Sequence, residues 1–286
     1  MQSVTGPYAI AAGVDGFSAR TPTLLPATHT NSYALGGRDV VLVEPATPFD
    51  DERRAWLEWA RSLASTGRRL VALFVTHHHA DHVGGAAFFA HELALPIWAH
   101  PETARRLSGV PVARRLEDGE ALTLDGPVPQ RWQVLHTPGH APGHLCLHEA
   151  ALGVLVAGDM IASEGTILID PSDGDMGVYL EQLRRLSALD ATVALPAHGA
   201  PIERPEAVFG YYVKHRLLRE QKVLDALLAT GARGAHVDEL VPHAYADTAP
   251  ALWPFAARSL ASHLAKLERD GLASRQGELY VANQAS

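Results

Sequence analysis

The chemistry in this sequence concentrates in one stretch, His77-His78-His79-Ala80-Asp81-His82, which begins where the apolar run 70–76 ends. In extended backbone, residues two apart project to the same side, so His77 and His79 can converge on one cation. The chain must then turn, and Asp81 and His82 can reach a second cation close by. A solvated histidine-rich turn is the plain alternative. A His-X-His-X-Asp-His pattern, however, arises by composition alone in such a chain with a probability of only roughly a few in a thousand. Three further segments set ligand-type side chains just after an apolar run: 131–135 leads into His136, His140 and His144, 154–157 into Asp159, and 192–195 into His198. Taken singly, each is better read as a buried turn residue; together they supply what one cluster lacks. Three imidazoles suit one tetrahedral zinc with an open position, and a carboxylate placed between two ions can bridge them.

These side chains need a frame that alternates strands and helices. The runs 40–43, 70–76, 131–135, 154–157 and 192–195 read as buried strands. Segments 51–66, 85–93 and 176–189 read as helices, the last with Tyr179, Leu180, Leu183, Leu186 and Leu189 at three- to four-residue intervals. This mixture predicts α and β layers packed together. From about residue 205 the texture changes to a long helical pattern over 206–229, a short one over 237–241, a longer one over 250–271 and a terminal strand over 278–281 after the Gln276-Gly277 turn. That order is the order of a winged helix-turn-helix. The expected division is a catalytic portion, 1–204, and a winged-helix-like portion, 205–286.

With 286 residues, 47% hydrophobic and 20% charged, the chain can bury a sizeable core. Its net charge of −8 gives no overall attraction to nucleic acid or anionic membranes. The segment 205–286 is balanced, with nine basic and nine acidic side chains, which removes the footprint that phosphate contacts require. The single cysteine, Cys146, excludes an internal disulfide and reads as a small buried residue in a strand. No stretch approaches the ~18 apolar residues of a membrane span and the opening residues do not read as a signal peptide, so a cytoplasmic address is expected.

The series His77-X-His79-X-Asp81-His82, then His140, Asp159 and His198 in that order, resembles the full ligand set of the metallo-β-lactamase superfamily, in its glyoxalase II-like form. The resemblance implies an αββα sandwich with metals at one edge. It assigns His77, His79 and His140 to a first ion, Asp81, His82 and His198 to a second, and Asp159 to both. It extends through Thr28-His29-Thr30-Asn31-Ser32-Tyr33, Glu164-Gly165-Thr166, the helix at 176–183 and the segment 215–221, all similar to the branch with a C-terminal winged helix. Within that branch the resemblance implies either a single-strand-specific endoribonuclease or thioesterases acting on carrier-bound polyketides; fold and metal site transfer well, substrate does not.

By that resemblance the cofactors are two divalent metal ions, Zn²⁺ first, with Fe or Mn compatible with an imidazole and carboxylate set. Two such ions share a hydroxide that is available at neutral pH, with Asp81 and Asp159 orienting it as the catalytic residues. The expected reaction is hydrolysis of an ester, thioester or similar acyl substrate. Single-stranded RNA is the alternative substrate, and a nucleic-acid-binding regulator with a vestigial metal site is the alternative of another class. Arg105, Arg106, Arg114 and Arg115 could form a local basic stripe favouring RNA. The winged helix is expected to pack, or to pair two copies, rather than to read nucleic acid. Of the neighbouring residues, His144 reads as supporting a ligand rather than binding metal, His78 as a groove wall, and His29, Asn31 and His136 equally as groove lining or structure.

Overall fold

Strict alternation of buried side chains builds the first layers. In Asp39–Val43, Val41 and Val43 face one apolar cluster while Val40 and Leu42 face another, so this strand is buried on both sides. The computed structural model describes residues 6–283. The described residues form two compact units: one comprises 6–137, 142–167 and 189–205, the other 138–141, 168–188 and 206–283.

The first unit holds two sheets. β1 (Gly6–Ala11), β2 (Val14–Arg20), β3 (His29–Leu35), β4 (Asp39–Val43), β5 (Arg69–Phe74), β6 (Ile97–Ala99) and β7 (Val112–Arg115) lie side by side in chain order. Pairing is antiparallel from β1 to β4 and parallel from β4 to β7. The second sheet runs β8 (Ala121–Leu124), β9 (Gln130–His136), β10 (Leu145–Glu149), β11 (Val154–Gly158), β12 (Val193–Pro196) and β13 (Ile202–Glu203), again as spatial neighbours, with only β11 and β12 parallel.

Between the sheets Val41, Val43 and Phe74 pack with Trp132, Val134, Val156 and Leu195. On the outer face of the first sheet, Leu42, Leu73 and Ile97 pack against α1 (Asp50–Ser65), through Trp56, Trp59 and Leu63, and against Phe89 of α3 (Ala86–Leu93). Trp56 is fully buried, and its indole donates to Ser32 Oγ at 2.8 Å, while Ser32 Oγ donates to Glu44 O at 2.5 Å. Removing such a ring costs about 3–5 kcal/mol. Two short helices, α2 (Ala80–Val83) and α4 (Pro101–Arg106), complete this unit.

The second unit contains α5 (Met176–Ser187), nearly all of α6 (Pro205–Leu228), α7 (Val237–Ala244), α8 (Trp253–Arg269) and the hairpin of β14 (Ala273–Gln276) with β15 (Leu279–Ala282). Asp175 caps α5 by accepting from Val178 N at 2.9 Å. The winged-helix core is Val223, Leu240, Leu260, Leu264, Leu267 and Tyr280. The longer helix expected over 250–271 is interrupted: Pro250–Leu252 is a 3₁₀ turn, and the α-helix starts at Trp253. Pro254 has no N–H to donate and is tolerated only in a helix's first turn, which fixes that start.

Candidate metal centre

The ligand-bearing segments leave strands that belong to parallel pairs, β5 in the first sheet and β11 and β12 in the second, at their carboxyl ends. Beyond β5 the chain is clamped from both sheets. Thr76 N donates to Glu44 Oε1 at 3.1 Å, and Thr76 O accepts from Leu145 N at 3.0 Å. His77 and His79 follow, the latter in extended backbone, with His77 Nε2 and His79 Nδ1 2.9 Å apart. His79 then stands at the N-cap of α2, and this single turn rolls Asp81 and His82 back toward the same point, with His82 N donating to His79 O at 2.9 Å.

Two of the converging imidazoles are fixed through their far nitrogens. His82 Nδ1 faces Glu44 Oε2 at 3.1 Å, and His198 Nδ1 faces His29 O at 2.9 Å. Both point Nε2 inward. His198 Nε2 lies 3.5 Å from Asp81 Oδ2 and 3.5 Å from Asp159 Oδ1; His82 Nε2 lies 3.5 Å from Asp159 Oδ2 and 3.8 Å from Asp81 Oδ2. Asp159 thus turns one oxygen to each of these two imidazoles. Buried His82 Nε2 has no hydrogen-bond partner.

These separations fit a metal better than a hydrogen-bond network. Donor atoms held about 2.0–2.2 Å from one tetrahedral ion stand roughly 3.3–3.5 Å from each other. The ligand atoms of His77, His82 and Asp159 lie within 4.8 Å of one another, as do those of Asp81, His82 and His198. Electrostatics agree. Burial opposes charge on His82, yet the carboxylates of Asp159, Glu44 and Asp81 outweigh it and hold the imidazole pKa well above its ordinary value, so this pocket favours a cation.

Six of the seven residues read from sequence, His77, His79, Asp81, His82, Asp159 and His198, therefore come together in the first unit. His140 falls in the four-residue segment 138–141 of the second unit, where its Nδ1 faces Leu168 O at 3.0 Å. The residues that flank that segment, Thr137 and Pro142, both belong to the first unit.

The neighbouring histidines separate cleanly. His144 Nδ1 sits 2.8 Å from Thr137 Oγ1, and its Nε2 accepts from Asp159 N at 3.0 Å, so His144 orients Asp159 rather than binding metal. Gly158, at φ +51°, is required here: a Cβ would meet His144 Nε2 at 2.5 Å. Asn31 braces the His198 loop by donating to Pro196 O at 3.0 Å and Gly199 O at 2.6 Å. His136 stacks on His100 with ring centroids 4.0 Å apart. His78 packs its ring 4.9 Å from that of His79. The sequence reading missed Glu44, the carboxylate beneath His82. Its signal was an acid closing the apolar run 40–43, whereas its left-handed backbone, φ 58°, had none.

Comparison with known proteins agrees with this geometry. Residues 25–198 match the metallo-beta-lactamase superfamily, and residues 237–281 match the beta-lactamase associated winged helix domain. The chain belongs to the metallo-β-lactamase superfamily of hydrolases and carries the winged helix domain associated with it. A "Beta-lactamase-like protein 2 homolog" of Drosophila melanogaster is 28% identical over 87% of this chain and 86% of its own length. "Atrochrysone carboxyl ACP thioesterase AgnL7" of Paecilomyces divaricatus is 29% identical over 69% of this chain and 59% of its own. The chain thus spans most of the fly relative but less than two thirds of the fungal one. Among solved structures, a metallo-beta-lactamase family protein from Thermus thermophilus superposes with a TM-score of 0.76 at 27% identity, covering 96% of this chain and all of that one. A beta-lactamase domain protein from Burkholderia ambifaria shares the fold, with a TM-score of 0.80 at 21% identity over 97% and 93% of the two chains. Among the described residues no helix is long and apolar enough to cross a membrane.

Proposed function

We propose that this hydrolase cleaves the acyl bond of an ester or thioester, and that its centre takes two divalent ions, zinc first among those the donor set suits, with iron or manganese compatible. His77 and His79, with His140 as the family resemblance assigns it, would hold one ion; Asp81, His82 and His198 would hold the other; Asp159 would serve both. When bound, such ions supply Lewis acidity and lower the pKa of bound water to about 7. The chain's own residues do the positioning. Glu44 fixes the ring of His82, the carbonyl of His29 that of His198, and His144 the backbone of Asp159. Asp81 is partly exposed where Asp159 is buried, so Asp81 is the carboxylate placed to accept a hydrogen bond from water and orient it toward a substrate. We assign this chemistry to 1–204, and to 205–286 packing or the pairing of two copies.

The observation that carries an acyl substrate over RNA is what the arginines do. Arg105 and Arg106 both pair with Glu102, and Arg114 pairs with Glu120 at 3.0 Å, so three members of the expected basic stripe are committed to carboxylates. In the second unit Arg219, Lys222, Arg233, Arg258, Lys266 and Arg269 are likewise paired with acids. An RNA enzyme gains its affinity from cations free to meet phosphate. The 29% identity to a protein named as an ACP thioesterase supports the same choice. The test is a panel of p-nitrophenyl esters, acyl-thioesters, lactones, a bis-phosphodiester and single-stranded RNA, each run with chelator and with Asp81→Ala. Chelator-sensitive, Asp81-dependent hydrolysis of acyl substrates is expected; cleavage of RNA alone would replace this reading with an endoribonuclease.

A further inference from the structure

We infer that α8 of the winged helix is a positioning element of the candidate metal centre: it holds the segment 168–175, and that segment orients His140. The inference rests on the two-ion reading above, in which His140 is a ligand. The segment carries no helix or strand, only a turn at 171–173, so its place is set by bonds from elsewhere. Yet His140 depends on it twice. Leu168 O can only accept, so His140 Nδ1 donates to it at 3.0 Å and Nε2 is left as the nitrogen able to bind metal. One residue earlier, Gly139 O accepts from Asp175 N at 2.7 Å. Gly139 itself, at φ +126°, lies so close to α5 that a Cβ would meet the Tyr179 backbone at 2.4 Å.

One face of α8 supplies those bonds. Ser262, only 2% exposed, donates from Oγ to Ile169 O at 2.7 Å, the carbonyl next to the one that His140 uses. Arg258 pairs with Asp170, and Arg269 with both oxygens of Asp175, Nη2 to Oδ1 at 2.7 Å. The two arginines are about half exposed, so each pair alone holds weakly and the buried Ser262 bond is the firmer. Together they pin residues 169, 170 and 175, at both ends of the segment. Arg258, Ser262 and Arg269 stand at i, i+4 and i+11, whereas Leu260, Leu264 and Leu267 serve the winged-helix core from the opposite face. Packing alone asks for apolar side chains on such a face. Here a hydroxyl and two guanidinium groups reach a segment 88 to 94 positions away, the segment on which His140 rests.

The test loads the full chain with Co²⁺, whose visible absorption reports the geometry of each site, and measures the affinity of each ion by competition with a chelator. His140→Ala identifies the ion in question, because it should lose one ion and keep the other. Ser262→Ala/Arg269→Met should weaken that same ion about tenfold, the low end for a group that supports a ligand, and leave the other within about twofold. Ser262→Ala alone should weaken it roughly threefold, a result that stands if the double variant does not fold. Ser262→Thr should restore wild-type affinity, since it keeps the hydroxyl and a cavity of about 300 Å³ lined by Gly174, Met176, Ser262 and Ala265 takes the added methyl. Arg233→Met, which breaks the pair with Glu239 elsewhere in the winged helix, should change neither ion. The inference is overturned if the folded Ser262 variants bind both ions as wild type does, if they weaken both ions equally, or if Arg233→Met weakens the His140 ion as much. Wild-type binding of both ions by His140→Ala overturns the two-ion reading at His140 and the role of α8 with it.

Discussion

His82 in the candidate metal centre and His263 in the winged helix are both fully buried with Nε2 lacking a hydrogen-bond partner, yet their surroundings drive them in opposite directions. Burial opposes charge on both. Around His82 the carboxylates of Asp159, Glu44 and Asp81 outweigh it and raise the pKa. Around His263 burial prevails over Glu220, helped by Arg216 and Lys266, and lowers it. The spacing differs in the same sense. Acids in the second unit are closed by cations, as in Lys266 Nζ to Glu220 Oε1 at 2.8 Å and Lys222 Nζ to Asp247 Oδ2 at 2.7 Å. In the centre, nitrogen and oxygen stand about 3.5 Å apart around His82 and His198. A region that has neutralised its own charges serves as a scaffold; one that holds three carboxylates beside inward-facing imidazoles is built for a cation from outside.

The contrast breaks most sharply at Glu44. In Glu44→Gln, the backbone N–H of Thr76 holds the amide oxygen, leaving the amide NH₂ toward His82 Nδ1. That forces the His82 proton onto Nε2 and spoils it as a ligand. Metal affinity should fall about 10–100-fold, measured by competition with a chelator, with circular dichroism unchanged. Wild-type affinity in this variant would leave Glu44 with no part in the centre.

A smaller effect is expected at His263. Because its folded pKa lies below the unfolded value of about 6.5, neither state holds the proton above that pH, and below it the unfolded chain binds a proton that the folded chain refuses. Its share of stability is therefore present at neutral pH and lost as pH falls below about 6.5 toward the folded pKa. His263→Leu should stay within roughly 1–2 kcal/mol of wild type at pH 7.5 and lose less on acidification to pH 5, read by denaturant titration. An unchanged or steeper acid slope would show that His263 is not held neutral.

Sequence legibility followed local pattern. The strands at 40–43, 131–135, 154–157 and 192–195 appear within about a residue of the observed β4, β9, β11 and β12, because continuous apolar runs mark strands buried on both faces. β3 was not read, since Thr30, Asn31 and Ser32 are polar in sequence and yet buried, Thr30 meeting the Thr21 hydroxyl, Asn31 the His198 loop and Ser32 the Glu44 carbonyl. β10 lay behind the more conspicuous histidines His136 to His144. In the site, ligand-type residues could be picked by spacing and resemblance. The residues that orient them could not: Glu44 reaches His82 across 38 positions, and His198 relies on a backbone carbonyl 169 positions away.

The most direct test of the central claim, that these side chains form one site for two ions, is the metal content of protein purified without chelator. About two equivalents per chain are expected, because two proposed donor sets would share Asp159. A reproducible value near zero in zinc-, iron- and manganese-supplemented preparations would contradict it.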